Sequence, residues 1–178
     1  WVYLEGYLIT SATTHAAVMK TKQLADSTGA KVAVSFADPG IVTIFRDNMN
    51  ALLEGGIDFV FSNEVEALAW AETDNLQLAA ERLKTICNGF VITRGASGTI
   101  LYDGYGMHQI DSQKVNAINS LGAGDMFAGA FFYGLGQGVS MVAACEFASR
   151  AASIVVCQAG PRLSMHAARA LRDAYFRN

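Results

Sequence analysis

The chain has 178 residues, a length that suits one domain with a sizeable core. Hydrophobic residues make up 52% and charged residues 16%, below the charge of about 25% usual in a soluble domain. This excludes a disordered chain and suggests apolar surface that other protein covers. Thirteen basic against sixteen acidic side chains give a net charge of −3, so no basic field exists for nucleic acid or an anionic membrane. Cys87, Cys145 and Cys157 are odd in number and lack CxxC spacing. They imply neither a disulfide framework nor a zinc site, and suit a reducing, cytoplasmic setting. The first residue is Trp1, and VYLEGYLIT follows it without a basic stretch, unlike a secretory signal. Such a start is expected for a fragment of a longer protein.

In chain order, residues 1–8 read as a strand and residues 12–27 as a helix closed by Gly29. A short apolar strand follows at 31–36, then a helix at 41–53 after the Pro39-Gly40 turn. The run IDFVF at 57–61 reads as a buried strand, with helices at 65–71 and 75–87 and another apolar run at 90–93. Residues 97–102 and 106–110, separated by Asp103-Gly104, read as a hairpin. Beyond a loop at 111–119, helices are expected at 123–135, 142–156 and 164–176.

Residues 126–145 carry no charge, and a span of about 20 could cross a bilayer. Gly134, Gly136 and Gly138 interrupt it, however, and Ser140 can cap a second helix. The reading is two helices and no membrane. Short strands alternating with helices predict an α/β fold, a mostly parallel sheet flanked by helices on both faces. In such sheets ligands gather at the carboxyl ends of the strands.

Three segments there could carry chemistry. Asn119-Ser-Leu-Gly-Ala-Gly-Asp125 leads into the apolar run MFAGAFFYGL. Gly122 and Gly124 allow close approach, and the free N–H groups at the start of the helix make an anion hole. Asp125 in the first turn could take the proton of an attacking hydroxyl, or simply belong to an ordinary helix start. Asn63-Glu-Val-Glu66 could hold the water shell of Mg²⁺ on nucleotide phosphates, or form a capping box. Thr93-Arg-Gly95-Ala-Ser-Gly98 could present backbone N–H groups to phosphate, or make a glycine-containing turn. There is no P-loop, no GxGxxG and no GxSxG, and His15, His108 and His166 are isolated, so no protein-only metal site is expected.

In this order the three segments resemble the ATP-site half of the ribokinase-like, PfkB-type carbohydrate and nucleoside kinases. That family carries Asn-x-x-Glu, then Thr-x-Gly-x-x-Gly, then Asp-Thr-x-Gly-Ala-Gly-Asp. The opening VYLEGYL, the ADPG turn and DFVFSNEVEAL look most similar to its adenosine-kinase-like branch. The resemblance implies Asp125 as catalytic base, with Gly122, Ala123 and Gly124 as the anion hole. It implies Asn63 and Glu66 for water-mediated magnesium and phosphate, and Thr93, Gly95 and Gly98 for the nucleotide. ATP and Mg²⁺ are the implied cofactors. Asn119-Ser120 replaces the family's Asp-Thr, and the lost charge argues against activation by a monovalent cation.

By resemblance, residues 1–178 form the C-terminal part of such a kinase domain, and an N-terminal half carrying the lid and most of the acceptor pocket is absent. The expected activity is ATP-dependent phosphorylation of a hydroxyl on a nucleoside, adenosine-like, or a sugar. The alternative is a non-catalytic nucleotide- or nucleoside-binding module of the same fold. The expected partners are the small-molecule acceptor, the missing half of the enzyme and, through an exposed sheet edge, a second copy.

Overall fold

The computed structural model describes residues 1–176; the last two residues of the expected 1–178 unit lie outside the described residues. It is an α/β structure with six strands, β1 (Val2–Glu5), β2 (Val32–Ser35), β3 (Phe59–Asn63), β4 (Phe90–Thr93), β5 (Thr99–Tyr102) and β6 (Met107–Ile110). The helices are α1 (Ala12–Thr28), α2 (Pro39–Ile44), α3 (Arg46–Leu53), α4 (Glu64–Trp70), α5 (Leu76–Leu83), α6 (Ala123–Gly136), α7 (Met141–Val155) and α8 (Met165–Phe176). Two compact units are present, residues 1–93 with 102–106, and residues 94–101 with 107 onward.

In the first unit β1 to β4 pair in parallel and in chain order. The register sets Glu5 opposite Ser35, Ser35 opposite Phe61 and Asn63 opposite Thr93, so β3 and β4 finish together two residues beyond the ends of β1 and β2. Val32-Ala-Val34 and Phe90-Val-Ile92 are buried at every position. Successive strand residues face opposite sides, so consecutive burial means that both faces of the sheet are covered. The largest fully buried side chains in this unit include Phe36, Phe59 and Phe90. With both faces closed to water, polar chemistry can lie only at the strand ends.

Local sequence explains most helix limits. Ser11 caps α1 by accepting the Thr14 N–H, and Gly29 ends it in the left-handed conformation at φ 71°. Several boundaries differ from the sequence reading. The first strand stops at Glu5 because a 3-10 turn starts at Gly6, whose Cα lies so close to Ser35 and Phe36 that a Cβ would stand 2.7 Å from the Phe36 carbonyl oxygen. The expected 41–53 helix is two helices that break at Phe45, after the β-branched run Ile41–Ile44 that holds a helix weakly. The 57–61 strand is displaced to β3, and Ile57 makes only an isolated bridge to Cys87. That bridge also draws residues 84–87 out of the expected helix, which ends at Leu83.

In the second unit α6 and α7 form a helical hairpin around Phe131, Ala144, Cys145, Ala148 and Val155, all buried. The turn between them uses Gly138 at φ 80°, and Ser140 caps α7 through the Ala143 N–H. Charge-free residues 126–145 are thus divided between two helices, and no described helix is long and apolar enough to cross a membrane. Helix α8 is tied on by rings, Tyr133, Phe147, Tyr175 and Phe176, and by the Tyr175 hydroxyl, which donates to the Ala143 carbonyl at 2.9 Å.

The glycines of α6 are not equivalent. A Cβ at Gly134 would stand 2.9 Å from Ala144 Cβ, whereas one at Gly129 meets nothing within 4 Å. Gly129→Ala should therefore stabilise the protein by about 0.5–1 kcal/mol through helix propensity. Gly134→Ala should destabilise it by about 1–3 kcal/mol by forcing α6 from α7. Urea unfolding midpoints of the two variants should move in opposite directions.

Candidate active site

Asn63 ends β3 and caps α4, which places it at the carboxyl edge of the first unit's sheet. Its backbone N–H donates to Glu66 Oε2 at 2.9 Å and its Nδ2 to Glu66 Oε1 at 2.6 Å, while Glu66 N–H donates to Asn63 Oδ1 at 2.9 Å. This is a capping box with an added side-chain bond, so both residues move as one body with α4. Glu66 is buried, at 6% exposure. Burial pushes its carboxyl above the ordinary value of 4.5; the Asn63 N–H works against that, and the charges of Asp38 and Glu5 add to it. Asp38 itself caps α2 through the Gly40 N–H.

Thr93 ends β4 as the register partner of Asn63, and its hydroxyl donates to the Ser62 carbonyl at 3.4 Å. Asn63, Glu66 and Thr93 therefore lie together at the ends of two neighbouring strands. Among the described residues no group of three or more acidic, histidine or cysteine side chains could hold a metal ion directly. Each Glu66 oxygen accepts one bond from Asn63 and keeps capacity for another, so the pair suits a hydrated cation held through its water.

The other predicted residues belong to the second unit. Gly95 is exposed at φ 54°, with open space where a Cβ would stand. Gly98 is different: at φ 86° it is buried, and a Cβ would be 2.3 Å from the Ile110 carbonyl oxygen. Its N–H donates to the Gly95 carbonyl, so Gly98 is required by packing and its amide is engaged within the turn.

Gly122 is the N-cap of α6 at φ 77°, and a Cβ there would meet Pro161 at 2.5 Å. The turn before it is held at several points. Val156 carbonyl accepts the N–H groups of Ile118 and Asn119, Asn119 Oδ1 accepts the Leu121 N–H, and Ser120 carbonyl accepts the Ala123 N–H. Asn119 thus holds the turn with a neutral carbonyl oxygen. No side chain caps α6. Gly124 and Asp125 are exposed in its first turn, and a Cβ on Gly124 would meet nothing within 4 Å. An uncapped helix start with an exposed carboxylate beside it can receive an anion and a proton at neighbouring points.

One feature of the second unit is not visible in the sequence. A cavity of about 310 Å³ is lined by Gln109, Asp111, Gln113, Glu146, Arg150 and Tyr175, among others. Its residues come from three separate elements and a loop and share no local pattern. Elsewhere, burial pushes the Cys87 and Cys145 thiols up to about 12, which keeps them inert.

The raised Glu66 group has a consequence for stability. The folded protein holds this proton more tightly than the unfolded chain does. Its stabilising contribution is therefore complete below the ordinary carboxylate value and falls as pH rises through the folded value. Glu66→Gln cannot titrate, so the stability of the native protein minus that of the variant should fall as pH rises above the ordinary carboxylate value. Urea unfolding at several pH values measures this difference, and parallel profiles would refute it.

The chain matches the pfkB family carbohydrate kinases over residues 1–168. The adenosine kinase of Saccharomyces cerevisiae is 25% identical over 174 residues, covering 89% of this chain and 50% of that kinase. The ribokinase of Lactococcus lactis subsp. lactis is 35% identical over 85 residues, covering 48% of this chain and 27% of the ribokinase. Among solved structures, the adenosine kinase from Sinorhizobium meliloti superposes with a TM-score of 0.90 at 30% identity, covering 97% of this chain and 53% of that one. The chain spans about half the length of the adenosine kinases it matches. Because the match takes in all three motifs and runs through residues 1–168, the chain belongs to the pfkB family of carbohydrate kinases.

Proposed function

We propose that the full gene product transfers a phosphoryl group from ATP to a hydroxyl of a nucleoside, adenosine-like, or of a sugar. The observation that carries this reading is the start of α6, where no side chain caps the helix and Asp125 is exposed in the first turn. The adenosine kinases and the ribokinase among its relatives support the two acceptor classes.

Asp125 accepts the proton of the attacking hydroxyl. The amides of Gly124 and Asp125 receive the charge that develops on the transferred phosphoryl oxygens, an electrostatic contribution made by groups already in position. Gly122 sets the direction of the helix start, whereas the Ala123 N–H is held by Ser120. Magnesium, when bound with the nucleotide, supplies neutralisation of phosphate charge. Asn63 and Glu66 hold its water shell, and Thr93 and Gly95 border the nucleotide. Gly98 serves the same turn by packing.

Asp125→Asn should lower kcat by about two or more orders of magnitude while ATP binding persists, the size expected for loss of a general base. The assay is phosphoryl transfer from Mg·ATP by the full gene product, with adenosine, inosine, guanosine, ribose and fructose offered in parallel. Near-normal turnover in the variant would overturn the role of Asp125. Binding of ATP without transfer to any acceptor would favour a nucleotide-binding module.

A further inference from the structure

The Asn63–Glu66 pair is built on a helix that could not hold it unaided. Helix α4 has seven residues, fewer than the roughly 12–15 that an isolated helix needs in water. Its own backbone closes the far end: Glu72 adopts φ 48°, and the N–H groups of Glu72 and Thr73 return to the Ala69 and Leu68 carbonyls. Two arginines from neighbouring helices add to this closure. Arg46 on α3 donates Nη2 to the Ala69 carbonyl at 2.9 Å and Nη1 to the Trp70 carbonyl at 3.1 Å. Arg82 on α5 donates Nη1 to the Ala71 carbonyl.

Cations at a helix C-terminus oppose its negative dipole end and satisfy carbonyls that the helix leaves free. Here the pair also fixes position, because each guanidinium is rooted in a different helix. Arg46 further pairs with Glu72 at 3.4 Å, but that carboxylate is 71% exposed and the ion pair adds little. Because Asn63 and Glu66 are locked to the first turn of α4, any slide or rotation of the helix displaces both. We infer that Arg46 and Arg82 are positioning residues: they clamp the C-terminus of α4 and thereby hold the Asn63–Glu66 pair in the place where it supports the hydrated cation. The link to the cation rests on the function proposed above; the clamp itself does not.

Lys22 supplies the control. It is buried on α1 and donates its Nζ to the Glu54 carbonyl just past the end of α3, the same chemistry at the far end of that helix from Arg46 and not on α4. Arg46→Met, Arg82→Met and Lys22→Met should all lower stability. Only the two arginine variants should speed amide hydrogen exchange at Asn63 and Glu66 by about tenfold relative to the β4 amides, since local opening is then easier than global unfolding. Arg46→Lys, which keeps the charge and one donor, should restore most of that protection. In phosphoryl transfer by the full gene product, the arginine variants should also raise the half-saturating Mg²⁺ concentration about tenfold, as lost outer-shell support does. Lys22→Met should leave it unchanged.

Equal exchange at Asn63 and Glu66 in the arginine and lysine variants, or an unchanged Mg²⁺ dependence in active arginine variants, would reduce the clamp to a stability device and overturn the inference. Should the methionine variants fail to fold, Arg46→Gln and Arg82→Gln take their place, with about threefold faster exchange expected and the same reversal if none is seen. If the native protein transfers no phosphoryl group, the proposed function falls, and hydrogen exchange still decides the clamp.

Discussion

Burial of both faces of the parallel strands β2 to β4 is the constraint from which the first unit's organisation follows. Residues such as Val34, Phe59 and Ile92 exclude water from the sheet on either side. No polar group can stand within the sheet without a partner. Glu5, Ser35, Asn63 and Thr93 accordingly fall at the strand carboxyl ends, with Glu5 matched to Ser35 and Asn63 to Thr93 by the parallel register. The covering helices must start at that same edge, which is why α2 and α4 begin with capping side chains there, Asp38 and Asn63.

Glu66 shows how this arrangement turns a local motif into a chemical one. A capping box on an exposed helix would leave its carboxylate in water. Here the carboxylate is buried near Asp38 and Glu5, and two bonds from Asn63 hold it. Desolvation outweighs those bonds in setting the direction of its proton affinity. The capping and functional readings of Asn63-Glu-Val-Glu66 are therefore compatible, because capping is what immobilises the group.

The second unit solves a different problem, the delivery of an open helix start. Gly122 must take a positive φ while Pro161 occupies the space of a side chain, and Asn119 and Val156 hold the preceding turn. These contacts leave the first turn of α6 without a side-chain cap and with Gly124 and Asp125 exposed. The apolar residues that follow bury α6 against α7, so the exposed end is mounted on a packed hairpin.

What the sequence determined by itself is local in origin. The alternation of short apolar strands with helices, the Gly29 and Ser140 caps, the Asn63–Glu66 box and the glycine turn before Asp125 all depend on residues within a few positions of one another. Tertiary structure alone decided the rest, since the partners lie far apart in the chain. It ended the first strand where Gly6 meets Phe36 and gave Gly98 to packing against Ile110. It also buried Glu66, set Arg46 and Arg82 on the end of α4, and assembled the second unit's cavity from separate elements. Desolvation and close packing depend on what is nearby in space, and periodicity along the chain carries no record of that.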